Sequence, residues 1–268
     1  MQNLNKKFAV SVIKFLFLFL GLYYIYFEIQ KINFDLIFNL NIYHLLIAFL
    51  FFLFGTSLFA YVWFRLLAES ENISMLETIK IYFQGQLGKY IPGSIWSALG
   101  RIGLAVDMGL EFKFVSKKTV NHLIYLWSAC LITGSIFLLK LEISILIFFV
   151  IMITLYFTEN KQLSFYLLGW VSIAFGYLVL FSSLNNLSIN NFNVIISGSL
   201  FSWLGGFLFL PAPSGIGVRE YILTYLLENK EGLTEVFIIA TLARALTIIN
   251  DLFGYFLYNF IFKFYNKR

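Results

Sequence analysis

The sequence predicts an all-α polytopic integral membrane protein with about six full spans and two broken, re-entrant helical segments in an inverted repeat. Three observations predict it. The 268 residues are 60% apolar and only 12% charged, whereas a soluble domain is about a quarter charged. Thirty-three phenylalanines exceed what a soluble core of this length can bury, but lipid accepts them. All three prolines fall in two short segments that interrupt long apolar runs. Lipid offers no hydrogen bonds to a broken backbone, so such breaks persist only where protein or a wet cavity covers them.

The elements follow in order. Lys6 and Lys7 precede an apolar stretch over 8–27, as in a signal peptide. That stretch carries Lys14 and lacks a small-x-small cleavage site, so it reads as an uncleaved first span. A span needs about 20 apolar residues, and 42–64, 119–139, 141–158, 163–184 and 234–262 supply five more. The stretches 75–108 and 192–228 hold the breaks. The first is amphipathic and interrupted. The second reads as an apolar helix from Phe192 to Leu210, a break, and a helix over 216–228 too short to cross comfortably.

Orientation comes from the cations. Arg65, Lys80, Lys89, Arg101, Lys113, Lys117 and Lys118 cluster in 65–118, which places that segment at the cytoplasm. If both broken stretches are re-entrant, both termini are cytoplasmic and Lys and Arg divide thirteen inside to four outside. If 192–228 crosses fully, the division is twelve to five, so charge orients the N-terminal half and barely constrains the rest. The re-entrant arrangement is preferred because it makes 1–268 one transmembrane domain of two repeats, about 42–139 and 163–262, running in opposite directions.

Other chemistries find little support. The net charge of +5 sits in loops between apolar runs, which is an orientation pattern and no nucleic-acid signal. Cys130 is alone, and with two distant histidines it offers no metal-ligand spacing. The sequence shows neither a nucleotide-binding glycine loop nor a nucleophile elbow. No cofactor, metal or catalytic residue is expected.

The breaks carry the chemistry. One reads Gly88-Lys89-Tyr90-Ile91-Pro92-Gly93-Ser94-Ile95-Trp96, followed by Arg101. The other reads Pro211-Ala212-Pro213-Ser214-Gly215-Ile216-Gly217-Val218-Arg219-Glu220. A helix restarting after a proline–glycine break presents backbone N–H groups that suit phosphate or carboxylate. Arginine can grip such an anion bidentately, and lysine adds a point charge. Lys89, Pro92, Gly93, Ser94, Arg101, Pro213, Ser214, Gly215, Gly217, Arg219 and Glu220 are therefore candidate substrate-binding residues. Arg244 and Asp251 join them, seven apart in the last span and costly in lipid unless they face protein or water. In that reading Arg244 contacts the headgroup and Asp251 is its counter-charge or a proton site. The plainer reading makes the breaks simple kinks, Arg219–Glu220 an interfacial pair, and Asp251 a structural partner of a cation such as Arg219. His122 reads as interfacial or hydrogen-bonded. The small residues Gly169, Gly176, Gly198, Ser202, Gly205 and Gly206 read as close helix packing.

Together the two motifs, with Gly109 between them, resemble the flippase-like membrane family, also called the lysylphosphatidylglycerol synthase transmembrane family. That family includes the membrane half of the multiple peptide resistance factor. The resemblance covers about residues 42–262. It implies translocation of a lipid across the cytoplasmic membrane, and the best-known members move aminoacylated phosphatidylglycerol. The synthase domain of the larger relatives has no counterpart in this sequence, so the enzyme name does not transfer. The expected function is a flippase for an anionic or lipid-linked headgroup: phospholipid, aminoacyl-phospholipid or polyprenyl-phosphate-linked glycan. The alternatives are a membrane-embedded lipid-modifying transferase and a non-catalytic subunit of an envelope lipid or glycan assembly complex. Expected partners are membrane lipids and, in the last case, lipid- or glycan-synthesis proteins.

Overall fold

The computed structural model describes residues 41–69, 73–90, 95–157, 161–184, 191–209, 213–231 and 233–265, with Tyr26 and Gln30. The predicted first span 8–27 falls almost wholly outside them. Among the described residues the protein is entirely helical. We number the helices α1 (Ile42–Leu67), α2 (Met75–Gln86), α3 (Trp96–Asp107), α4 (Phe112–Ile136), α5 (Leu141–Phe157), α6 (Lys161–Leu184), α7 (Phe192–Leu208), α8 (Val218–Glu231) and α9 (Leu233–Tyr265). Short 3₁₀ turns stand at Leu87–Tyr90 and Pro213–Gly215.

Local chemistry sets several of these boundaries. Asn41 caps α1, its side chain accepting from the Tyr43 amide at 2.9 Å. Ser74 and Glu77 start α2 with the S-x-x-E pattern of a capping box, and the Ser74 hydroxyl accepts from the Glu77 amide. Among the described residues three helices are long and apolar enough to cross a membrane, namely Ile42–Leu67, Lys161–Leu184 and Thr234–Phe264. Two shorter apolar helices, Leu141–Leu155 and Phe192–Leu208, accompany them. The other expected span, 119–139, lies mostly within α4, which begins seven residues earlier at Phe112 and so takes in Lys113, Lys117 and Lys118. Both expected breaks are present: α2 and α3 flank the first, α7 and α8 the second.

The fold has an apolar core that also buries several charged and polar side chains, and it presents many large apolar side chains outward. Arg101, His122, Glu220, Asn250 and Asp251 are buried, while Phe54, Phe149, Phe253, Phe256 and Phe260 face outward. Water would penalise that arrangement, whereas an apolar surround would stabilise it.

Helix packing among these elements has an exchange symmetry. Exchange α1 with α6, α2 with α7, α3 with α8 and α4 with α9, and the pattern of neighbours maps onto itself. α2 packs on α9 as α7 packs on α4. α2 packs on α3 as α7 packs on α8, and α1 on α2 as α6 on α7. The most extensive contact, α1 with α6, maps to itself. Glycines let that pair approach: a Cβ on Gly169 would strike Phe59, one on Gly176 would strike Phe52, and one on Gly55 would stand 2.7 Å from the Gly169 carbonyl oxygen. The close-packing reading of Gly169 and Gly176 thus agrees with the structure. The two 3₁₀ turns touch each other, so the breaks meet inside the fold.

Candidate functional site

Where the breaks meet, the structure holds a cavity of about 80 Å³ with an open mouth. Polar side chains line it from every direction: Thr56 on α1, Gln86 on α2, Ser97 on α3, and Thr247 and Asn250 on α9. Tyr82, Tyr177, Trp203 and Phe207 form aromatic walls. Five of the residues expected from sequence line the same cavity: Lys89, Arg101, Ser214, Arg219 and Asp251.

The arginines come from equivalent places, α3 and α8. Arg101 is 2% exposed. Its Nε donates to the Ser97 carbonyl at 3.2 Å, and its guanidinium stands 4.8 Å from the Tyr82 ring and 5.8 Å from the Trp63 ring. Arg219 holds its guanidinium 5.3 Å from the Trp203 ring. Aromatic faces replace part of the lost hydration of a cation. They leave N–H donors open: Arg101 Nη1 and Arg219 Nε have no hydrogen-bond partner among the described residues. Neither arginine belongs to an ion pair there.

Each arginine also rests on a glycine of the preceding arm. A Cβ on Gly85 of α2 would strike Arg101 Cγ, and a Cβ on Gly206 of α7 would strike Arg219 Cγ. The pair Gly85/Arg101 thus matches Gly206/Arg219 under the helix exchange described above. Gly206 had read only as packing; here it makes room for a cation.

The carboxylates are engaged elsewhere than expected. Asp251, 1% exposed, accepts from Tyr90 Oη at 2.5 Å and pairs with Lys89 Nζ at 2.6 Å. Arg244 Nη1 meets Glu220 Oε1 at 2.7 Å, and its Nη2 reaches the Ser214 carbonyl at 3.4 Å. Three expectations are corrected. Asp251 is the counter-charge of Lys89, not of Arg244 or Arg219. Glu220 pairs with Arg244 and not with its neighbour Arg219, because residues adjacent on a helix point about 100° apart. Arg244 and Glu220 are not among the residues lining the cavity; they brace its second break.

The second break is a left-handed turn. Ser214 has φ 51°, Gly215 φ 71° and Gly217 φ 78°. Glycine adopts such angles freely, and other residues pay for them. Gly215 also needs its missing Cβ, which would lie 2.5 Å from the Gly206 carbonyl oxygen. Pro213 opens the turn; Gly215 and Gly217 shape it and do not line the cavity. Pro92, Gly93 and Ser94 lie outside the described residues. Beyond them, α3 starts after Ile95 without a side-chain cap.

Sequence reasoning missed Tyr90, which holds Asp251 without lining the cavity, and several wall residues. Tyr90 sits inside the first motif, and its neighbour Lys89 was the signal available. Asn250, beside Asp251 in an apolar helix, was a second; its Nδ2 donates to Thr56 Oγ1 at 2.9 Å. Trp203 and Tyr82 carried no signal in a chain that is 20% aromatic.

Two polar clusters lie off the cavity. His122 is buried with Nδ1 2.5 Å from Tyr166 Oη, as a hydrogen-bonded histidine should be. Beyond the end of α1, Glu69 pairs with Lys118 and accepts from Gln162 Nε2 at 2.8 Å. Burial alone would raise the Glu69 carboxyl, but the hydrogen bonds from Lys118 and Gln162, with the charges of Lys118 and Arg65, hold it below its ordinary 4.5.

No protein family, no curated protein and no solved structure matches this chain.

Proposed function

We propose that this chain is a multi-pass protein of the cytoplasmic membrane that carries a lipid with an anionic headgroup between leaflets. One observation carries the reading: Arg101 and Arg219 line one internal cavity from equivalent positions, without carboxylate partners among the described residues. Arg101 is buried and Arg219 part-buried, and an unpaired guanidinium so placed is unfavourable. An anionic ligand would satisfy both. The apolar exterior and the three long apolar helices support residence in lipid.

The exchange symmetry of helix packing supports two repeats, 42–139 and 163–262, each holding one break; in this reading both breaks are re-entrant. Opposed repeats build a midplane site that each side of the membrane reaches in turn. In this mechanism the headgroup enters among the arginines while the acyl chains stay in lipid. Rocking of one repeat against the other then changes the side from which the cavity opens. The motif resemblance to the flippase-like family points the same way.

Reconstitution tests it. Vesicles holding the purified protein and a fluorescent anionic phospholipid are treated with an impermeant quencher. A translocator exposes inner-leaflet label to the quencher far faster than empty vesicles do. A rate equal to that of empty vesicles overturns the reading. The same vesicles separate the alternatives, because a transferase would change the lipid chemically and an assembly subunit would neither move nor change it.

A further inference from the structure

We infer that the cavity takes a headgroup bearing two negative charges on phosphate, a phosphomonoester or a diphosphate, in preference to a phosphodiester or an aminoacylated one. This rests on the lipid-carrier reading and names its substrate class.

Charge balance carries the inference. Among the described residues, the cavity lining holds three cations, Lys89, Arg101 and Arg219, and one carboxylate, Asp251. That carboxylate is already paired with Lys89 at 2.6 Å. The neighbouring pair, Arg244 with Glu220, is neutral as a unit. Segments 91–94 and 210–212, which join the arms of the breaks, contain no ionisable side chain. Two guanidiniums therefore remain to be neutralised, and the fully buried Arg101 presents an open Nη1.

A dianionic phosphate meets that surplus. Its terminal oxygens offer acceptors to both arginines, each of which can grip bidentately. A monoanionic diester has two free oxygens and leaves one guanidinium uncompensated in a poorly solvated site. An aminoacylated diester adds an ammonium to a cavity already in surplus of cations. On this ground the chain departs from the aminoacyl-lipid substrates that the motif resemblance would suggest.

The test is a competition of headgroups on one set of acyl chains. Detergent-purified protein is titrated at pH 8 with phosphatidic acid, phosphatidylglycerol and phosphatidylcholine, all carrying the same chains and one acyl-chain fluorophore. Phosphatidic acid should bind about ten- to a hundred-fold more tightly than phosphatidylglycerol, the worth of one further charge-assisted contact. Arg101→Gln and Arg219→Gln each remove one surplus charge. They should weaken phosphatidic acid binding by about ten- to a hundred-fold more than phosphatidylglycerol binding and so collapse that ratio toward unity, whereas a merely misfolded variant would weaken both alike. If a variant fails to fold, the ratio in the parental protein decides. Equal binding of phosphatidic acid and phosphatidylglycerol by the parental protein overturns the dianion preference and leaves lipid translocation standing. Inorganic pyrophosphate that binds where no phosphatidic acid does upholds a dianion site but overturns its assignment to a lipid. Binding of none of these overturns both.

Discussion

Arg244 and Asp251 stand seven residues apart on α9, and each ties a different break to that helix. Arg244 holds Glu220 and the Ser214 carbonyl of the second break, while Asp251 holds Lys89 and Tyr90 of the first. Seven residues are nearly two turns, about 10.5 Å along one face. A single helix thus ties together the two breaks that flank the cavity. Charges inside an apolar fold are expensive to keep, and here they position the backbone of both breaks.

The Lys89–Asp251 pair should therefore show strong coupling. Breaking a buried pair from one side leaves an uncompensated charge, and Lys89 retains only partial exposure. Asp251→Asn and Lys89→Met should each destabilise the protein by about 1–3 kcal/mol. The double variant should lose less than the sum of the two. Thermal unfolding in detergent of the four proteins measures this. Additive losses would mean the pair does not hold the break.

Gly206→Ala and Gly215→Ala should fail in different ways. The Gly206 Cβ would meet the flexible Arg219 side chain, so the protein should fold but hold that guanidinium out of place. The Gly215 Cβ would meet backbone at 2.5 and 2.7 Å, on a residue with φ 71°. That variant should lose about 2–3 kcal/mol of stability, the joint cost of overpacking and strain. Melting temperature and translocation rate, measured together, separate the two. A Gly206→Ala protein with parental transport would show that the Arg219 position is not critical. Gly217 has φ 78°, so a bulky probe there would report backbone strain before any blocked anion.

Topology is tested by labelling single cysteines from one side of sealed vesicles, in a Cys130→Ser background. Two opposed repeats with both termini cytoplasmic require Glu69→Cys and Lys263→Cys to react from the cytoplasmic side and Leu138→Cys from the other. Lys263→Cys reacting from outside would make 192–228 a full crossing and end the inverted repeat.

The breaks were legible in sequence because their signals are local. Proline and glycine within apolar runs mark them wherever the chain later folds, and α2–α3 and α7–α8 fall within a few residues of the boundaries so read. Arg101 and Arg219 were legible for the same reason, as lone cations in apolar sequence. Partner choice was not legible. Lys89 and Asp251 are 162 positions apart, and Asp251 had Arg244 and Arg219 as equally plausible partners until the helices were packed. The role of Gly206 was hidden because a glycine that clears a path for arginine looks like one that clears a path for a helix.

The Glu69 cluster makes a prediction about pH. The Glu69 carboxyl is held below 4.5 in the folded protein by Lys118 and Gln162. A lowered folded-state value means that its contribution to stability is present above about pH 4.5 and is lost as pH falls through the folded value. Glu69 is 43% exposed, so solvent screens the pair and the contribution should stay under about 1 kcal/mol. Parental protein should thus lose slightly more stability than Glu69→Gln between pH 5 and about pH 3. Parallel melting curves across that range would show that the cluster does not join α1, α4 and α6.

The arginines give the central prediction. In the proposed mechanism Arg101 and Arg219, one from each proposed repeat, hold the headgroup together in one cavity. Removing either leaves the headgroup with one guanidinium in place of two. A hydrogen bond to a charged group contributes about 1.5–3 kcal/mol, so Arg101→Ala or Arg219→Ala should slow translocation by about one to two decades. Lysine should rescue only in part. It keeps the charge but loses the planar fork, and it stacks less well on Tyr82 and Trp203 than the guanidinium does. The measurement is translocation by the four variants at matched protein content and matched melting temperature. Both alanine variants transporting at the parental rate would reduce the arginines to interfacial residues and remove the anion site from the mechanism. Loss at one position alone would keep the site and break its symmetry.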